Sequence, residues 1–199
     1  MENAVIYIRG KYGTAEEAKY YKKFFKEADI IGFEYTSEYP WNFQKEFSTF
    51  FDDISEKYKK ISIIANSIGA YFTMISLFNK HIEKAFFISP IVDMEKLIID
   101  MMLSENITEE ELYKKKEIKT SFGETLSWKY FTFARENHIE WNVPIYILYG
   151  EKDNITSYET ILNFVNKTKA NLTVMKNGEH WFHTEEQIKF LDNWIKNLT

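Results

Sequence analysis

Short apolar runs alternate along the chain with longer segments in which apolar residues recur every three or four positions. The runs are Val5–Arg9, Ile30–Tyr35, Ile61–Ala65, Ala85–Ser89, Pro144–Tyr149 and Leu172–Met175. They are apolar almost throughout, the pattern of strands covered on both faces. Ala15–Ala28, Asn42–Tyr58 and Ile68–Asn79 carry the helical period. Tyr20, Phe24 and Phe25 mark the face of the first, and Phe43, Phe47, Phe50, Phe51 and Ile54 that of the second. A last helix over Glu185–Leu198 sets Ile188, Leu191, Ile195 and Leu198 on one stripe. Strands and helices in alternation predict βαβ units and a parallel sheet.

The alternation breaks between Ile91 and Val143, where about fifty residues pass without a clear strand, far more than an ordinary βα connection. Met94, Leu97, Ile98, Met101 and Met102 follow i, i+3, i+4, i+7, i+8 spacing, an amphipathic helix. Thr108–Ile118 is highly charged and reads as an exposed helix, with Thr108 and Glu111 spaced for a capping box. After Gly123, helical spacing returns at Leu126, Tyr130, Phe133 and Ala134. The expectation is one α/β domain over residues 1–199, a three-layer α/β/α fold with about six mainly parallel strands. Residues 91–143 are expected to form a helical cap insertion over the carboxyl ends of the strands. The alternative is extra helices packed away from any site.

Composition narrows the function. With 45% hydrophobic and 18% aromatic residues in 199, the chain has material for one large core. A net charge of −5, with lysines and acids intermixed, argues against a nucleic-acid partner. The absence of cysteine excludes disulfides, thiol catalysis and cysteine–zinc sites, and fits a reducing compartment. Met1 runs almost directly into Val5–Ile8 without a basic, then apolar, leader, and no stretch approaches the roughly 18 apolar residues of a membrane span. A cytoplasmic protein is expected.

The chemistry begins at Asn66-Ser67-Ile68-Gly69, where the run Ile61–Ala65 gives way to a helix. A serine on a sharp strand-to-helix turn projects its hydroxyl from the sheet, and small residues two positions away on either side let the backbones approach. Ala65 and Gly69 give A-x-S-x-G, one methyl away from the G-x-S-x-G nucleophile elbow. The same serine at the start of a helix also reads as a plain N-cap. A neutral serine needs an imidazole to take its proton and a carboxylate to orient that imidazole. Two later loops, each after a strand, carry them: Gly150-Glu151-Lys152-Asp153-Asn154 and Asn177-Gly178-Glu179-His180-Trp181-Phe182.

With Ser67, Asp153 and His180 in that order, the chain resembles the α/β-hydrolase fold family, particularly its small single-domain bacterial members. The resemblance runs from the first strand to the last helix. It is carried by Arg9-Gly10-Lys11-Tyr12-Gly13, the turn at Ser67, Tyr149-Gly150-Glu151-Lys152-Asp153 and Gly178-Glu179-His180-Trp181-Phe182. It implies Ser67 as nucleophile, His180 as base then acid, and Asp153 as the orienting carboxylate. It also implies an oxyanion hole from the backbone N–H groups of Ile68 and Lys11. The sequence departs from the family at Ala65, where glycine is usual, and at Arg9, where histidine is usual. Arg9 and Lys11 have two readings, attraction of an anionic substrate group or solvated loop charge.

Rival residues read differently. Glu151 could also orient a histidine, but the family spacing selects Asp153. His183 is a rival base that more naturally caps or packs at the start of the last helix. His81 and His138 lie beside charged helix ends and read as surface residues. Asp52 and Asp53 are adjacent on a helix and point apart. No phosphate-binding glycine pattern or metal-ligand spacing stands out. Candidate pocket residues are Tyr12, Trp41, Met94, Ile98, Met101, Trp128, Phe131 and Trp181, with Met102 beside them; the helical ones read equally as core. The expected function is cofactor-free hydrolysis of a small-molecule carboxylic ester, with a small or medium acyl group, through an acyl-enzyme. An aminopeptidase-like or thioester and acyl-transfer enzyme with the same three residues, and a non-catalytic binding module, are the alternatives.

Overall fold

The computed structural model describes residues 2–37 and 39–199. In chain order, β1 (Asn3–Ile8), α1 (Ala18–Tyr21), β2 (Ala28–Phe33), α2 (Pro40–Ser55), β3 (Lys60–Asn66), α3 (Ile68–Leu77) and β4 (Lys84–Ile88) come first. Then follow α4 (Met94–Ser104), α5 (Glu109–Lys115), β5 (Glu117–Lys119), β6 (Thr125–Ser127) and α6 (Trp128–Glu136). Last are β7 (Ile145–Gly150), α7 (Tyr158–Thr168), β8 (Asn171–Met175) and α8 (Glu185–Lys196). The chain divides into two compact units, residues up to Val92 with Glu140–Thr199, and Asp93–Ile139.

The first unit is built on a six-stranded sheet in the order β2-β1-β3-β4-β7-β8, and every neighbouring pair is parallel. Both faces are covered, which is why the strands read as continuous apolar runs. Side chains alternate between faces along a strand. Val5 and Tyr7 of β1, Ile64 of β3, Phe86 and Ile88 of β4 and Leu148 of β7 join Ala18 and Tyr21 of α1 and Leu191, Trp194 and Ile195 of α8 in one core. Ile8, in register with Phe33 of β2, points the other way. There Phe33 packs on Phe43 and Phe47 of α2, and Phe43 stacks on Phe72 of α3 at 4.5 Å. The result is a three-layer α/β/α sandwich with a mainly parallel sheet, as the sequence predicts.

The strand order places the site. From β1 the chain moves outward to β2, then returns past β1 to β3 and continues to β4. The connections leaving β1 and β3 therefore diverge, and the carboxyl ends of such neighbours are where open α/β sheets hold their ligands. Arg9–Gly13 leaves β1 there and Ser67 leaves β3.

In the second unit Met94, Ile98, Met102, Leu112, Leu126, Phe131 and Ala134 are all buried. Asp93, Thr108 and Ser127 cap α4, α5 and α6, their side-chain oxygens accepting from the amides of Lys96, Glu111 and Tyr130. Arg135 on α6 bonds Glu95 of α4 at 2.7 Å and both carboxylate oxygens of Glu109, next to α5's cap, at 2.7 and 3.0 Å.

Three expectations change. The helix expected over Ala15–Ala28 is a 3-10 turn, Ala15–Glu17, and a four-residue α1, followed by i→i+3 turns that return the chain to β2. The helix expected to reach Ile118 ends at Lys115. Lys116 turns back with φ 65°, and Glu117–Lys119 pairs antiparallel with Thr125–Ser127. Each strand of this hairpin is three residues long, too short to leave a period. Tyr158–Thr168 is an additional helix; Ser157 caps it, and Ile161 and Phe164 fill its buried face. Among the described residues, no helix is long and apolar enough to cross a membrane, and no group of three or more His, Asp or Glu side chains is placed to hold a metal ion.

Candidate active site

Ser67 occupies the turn between β3 and α3 with φ 52° and ψ −120°. A non-glycine residue in such a region costs on the order of 1–3 kcal/mol and persists only where its surroundings impose it. They do: the Ser67 N–H donates to Ile88 O at 3.0 Å, and its carbonyl accepts from Ala70 and Ile91 N–H, each at 3.1 Å. Close approach on the far side requires glycine, since a Cβ on Gly69 would lie 2.6 Å from Arg9 O and 2.8 Å from Ile8 O. Ala65 is fully buried between Ile8 and Phe87 in the sheet register, so its methyl is accommodated. Although Ser67 stands at the N-cap position, its hydroxyl makes no cap bond to α3 among the described residues. Ser67 Oγ lies 2.8 Å from His180 Nε2 instead.

The other imidazole nitrogen, Nδ1, lies 2.7 Å from Asp153 Oδ2. The Asp153 side chain is fully buried and that of His180 is 13% exposed. Asp153 Oδ1 accepts from the amides of Ile155 at 2.8 Å and Thr156 at 3.0 Å, so both carboxylate oxygens are satisfied and the group is fixed in direction. The two loops meet because β7 ends in Gly150. A Cβ there would lie 2.5 Å from Glu179 O and 2.6 Å from the carbonyl atoms of Gly178. Lys152 N–H donates to Gly178 O at 2.7 Å and Glu151 N–H to Met175 O at 3.0 Å, lacing the loops together. Glu151 is no rival to Asp153, as its Oε2 accepts from Asn177 N–H at 2.9 Å.

The loop after β1 runs against the serine turn. A Cβ on Gly10 would sit in ordinary contact with Ser67 Cβ, at 3.5 Å. Ile68 is the first residue of α3, so its amide is one the helix itself leaves unused. Arg9 fits neither reading drawn from the sequence. Its side chain is 13% exposed and its guanidinium donates to the carbonyls of Gly10 (2.9 Å), Lys11 (3.0 Å) and Tyr35 (2.7 Å) and to Glu34 Oε1 (3.3 Å). It also stacks on the Tyr35 ring at 3.9 Å. It is neither a solvated charge nor a free hook for an anionic substrate.

The pocket candidates scatter. Trp181, beside His180, is 70% exposed and stacks on His183 at 4.6 Å, and Tyr12 is 88% exposed. Trp41 stacks on Tyr39 and lines an open groove of about 360 Å³ with Gln44, Ile75 and Lys80, at the far half of α3 from Ser67. Met94, Ile98, Met102 and Phe131 are 5% exposed or less, and a wall residue needs accessible surface. Met101 and Trp128 are half-buried. His183 Nδ1 lies 2.8 Å from Trp181 O, away from Ser67's partner, and its amide bonds Gln187 Oε1 at the start of α8. His81 and His138 are exposed, and Asp52 pairs with Lys80 at 2.6 Å.

Two supports escaped the sequence reading. Tyr149 OH donates to Thr156 O at 2.8 Å and braces the turn that holds Asp153; burial, and then the nearby Asp153 charge, push its pKa up to about 12. Tyr7 OH donates to Glu17 Oε2 at 2.5 Å while Glu17 Oε1 accepts from Thr14 N–H, fastening the far end of the β1 loop. Both pairs join residues whose partners lie in turns, which periodicity does not see.

No family model and no curated protein matches the sequence. Solved structures do. Est1E from Butyrivibrio proteoclasticus superposes with a TM-score of 0.75 at 17% identity, over 98% of this chain and 86% of that one. Alpha/beta hydrolase domain-containing protein 10 from mouse gives 0.74 at 16% identity, over 98% and 90%. A proline iminopeptidase-related protein from Thermus thermophilus gives 0.63 at 15% identity, over 98% and 89%. Identity this low speaks for the fold alone, and nearly the whole chain takes part. The chain has the α/β-hydrolase fold.

Proposed function

We propose that the protein is a serine hydrolase that cleaves a carboxylic ester through an acyl-enzyme. The observation that carries this reading is the continuous line Ser67 Oγ, His180 Nε2, His180 Nδ1, Asp153 Oδ2, with steps of 2.8 and 2.7 Å. Those are the distances a general base needs to take the hydroxyl proton and a carboxylate needs to hold the imidazole in one tautomer. In the proposed reaction Ser67 Oγ attacks the carbonyl carbon as its proton passes to His180 Nε2. The tetrahedral oxyanion is bonded by the amides of Ile68 and Lys11, and loss of one such donor typically costs about 3–4 kcal/mol of transition-state stabilisation. The C–O bond breaks, the alcohol leaves with the proton from His180, and water, deprotonated by His180, releases the acid and restores Ser67. Asp153 stays ionised and balances the imidazolium. The chemistry asks for no cofactor. Trp181 offers a flat apolar surface beside His180 for a small or medium acyl group. The cysteine-free composition suits action in the reducing cytoplasm.

The experiment is fluorophosphonate labelling with peptide mapping, alongside turnover of p-nitrophenyl esters, a thioester, an aminoacyl amide and methyl ferulate. The ferulate joins the panel because Est1E has been solved with ferulic acid bound. An adduct on Ser67 with fastest turnover of an ester is expected. Fastest turnover of the amide or thioester moves the enzyme to those classes, and no adduct with no turnover makes the fold a binding scaffold.

A further inference from the structure

Arg9 sits where the fold presents the β1 loop to Ser67, and its guanidinium is spent on backbone. One nitrogen, Nη1, donates to two successive carbonyls, Gly10 O at 2.9 Å and Lys11 O at 3.0 Å, while Nη2 reaches Tyr35 O at 2.7 Å beyond the end of β2. Glu34 Oε1 holds Nε at 3.3 Å and its Oε2 accepts from Ala15 N–H at 3.1 Å, so the clamp is anchored on both sides of the loop. Tyr35 completes it, with its ring under the guanidinium and its hydroxyl donating to Arg9 O at 3.1 Å. The Gly10 carbonyl also accepts from Gly13 N–H at 3.3 Å, closing a turn over residues 10–13.

In a trans peptide the C=O and the N–H point in opposite directions. Drawing the Gly10 carbonyl onto a cation therefore turns the Lys11 N–H away from it, and the flexible Gly10–Lys11 plane is fixed at the place where Gly10 backs onto Ser67. A cation on the carbonyl also polarises the peptide, which makes its N–H a stronger donor. Preorganisation of this kind matters most where charge develops during the reaction.

We propose that Arg9 is a positioning residue, which orients and polarises the Gly10–Lys11 peptide as an oxyanion donor. The inference rests on the serine-hydrolase reading above. It assigns the arginine a part in transition-state binding and none in recognising the substrate's own charge.

The test uses the full chain with p-nitrophenyl butyrate and a trifluoromethyl ketone, which binds a serine as a tetrahedral oxyanion adduct. Arg9→Gln is expected to lower kcat by about 100-fold with KM changed less than about threefold, and to weaken the trifluoromethyl ketone by the same factor. The methyl ketone analogue, which forms no stable adduct, keeps its affinity. Arg9→Lys retains the charge without the planar fork and is expected to fall between the two in kcat. Wild-type kcat in Arg9→Gln, a loss carried by KM, or equal weakening of both ketones would overturn the proposal. Should Arg9→Gln fail to fold, Glu34→Gln loosens the clamp from outside the loop; wild-type kcat in both Glu34→Gln and Arg9→Lys overturns it equally. An unlabelled Ser67 in the wild-type protein would remove the hydrolase reading and this inference with it. A labelled Ser67 with an indifferent Arg9→Gln removes the role of Arg9 alone.

Discussion

Ser67 Oγ bonds His180 Nε2 at 2.8 Å, across 113 positions of sequence, and in doing so gives α3 no side-chain cap. A serine placed for helix stability would use its oxygen on the amides of the first turn. Here the oxygen is spent on an imidazole while the backbone is held at φ 52°. The residue costs the fold stability in both respects.

That cost is measurable. Ser67→Ala removes the hydroxyl but keeps the Cβ, so the strain stays; Ser67→Gly removes both. Relative to Ser67→Ala, the glycine variant is expected to be more stable by about 1 kcal/mol, a rise of roughly 2–4 °C in Tm for a domain of this size. Both variants are expected to lose ester turnover. Thermal unfolding of the pair decides it: equal Tm values would mean that the turn holds no strain.

Asp153 carries two separable jobs on its two oxygens. Asp153→Asn retains an acceptor for the amides of Ile155 and Thr156 but presents an NH2 group to His180 Nδ1, which forces the wrong tautomer. Its folding stability is expected to stay near wild type while kcat falls by about 10⁴-fold. Asp153→Ala also strands the buried Thr156 amide and is expected to cost about 2 kcal/mol in denaturant unfolding. If the two variants lose stability alike, the Oδ1 bonds contribute nothing.

The legible and illegible parts of this chain divide along physical lines. All six strands of the main sheet announce themselves as apolar runs, because residues such as Ile63, Phe87 and Ile147 are fully buried on a two-sided sheet. Ser67, Asp153 and His180 are legible as a set because each ends a strand-to-loop transition, and parallel strands bring such ends to one edge. Arg9 is the opposite case. Besides Glu34, its partners are carbonyls of its own loop and of Tyr35, and backbone acceptors leave no mark in sequence. The β5–β6 hairpin and the shortened α1 are set by turns such as that at Lys116, which override local spacing. Trp41 misleads for a related reason: it stands in the first turn of α2 rather than on a loop, and the groove it lines lies at the far half of α3 from Ser67.

Gly150 is the joint between the Asp153 and His180 loops. In Gly150→Ala the added methyl would meet backbone atoms of Gly178 and Glu179 within 2.6 Å, and backbone cannot rotate aside as a side-chain tip can. The loops must separate. The expected result is a loss of about 2–3 kcal/mol of stability, with kcat lowered at least tenfold in whatever stays folded. Gly123→Ala serves as the control. It meets open space at φ 90°, so it is expected to cost about 1 kcal/mol of stability and leave kcat unchanged. Unaltered kcat in Gly150→Ala would separate the loop contact from the chemistry.

Alkaline unfolding offers a test of the brace behind Asp153. Burial pushes the phenols of Tyr149 and Tyr35 each up to about 12, and both donate a hydrogen bond that ionisation would destroy, to Thr156 O and Arg9 O. Tyr7 and Tyr21 are buried and raised as well. An unfolded chain ionises its tyrosines near 10, so above that pH the unfolded state has released protons that the folded state still holds. Folding stability from these groups is complete below pH 10 and falls as pH climbs towards 12. Thermal unfolding is therefore expected to drop steeply between these limits. Tyrosinate absorbance at 295 nm should rise with unfolding, at a pH above the ordinary phenol range. Tyr149→Phe removes one of the protons involved, so the slope of stability against pH should become shallower by one proton equivalent. Its Tm at neutral pH should fall, because Thr156 O loses its donor at a cost of about 1 kcal/mol. If Tyr149→Phe leaves the alkaline slope unchanged, the Tyr149 phenol ionises as freely in the folded protein as in the unfolded chain, and the brace behind Asp153 lies elsewhere.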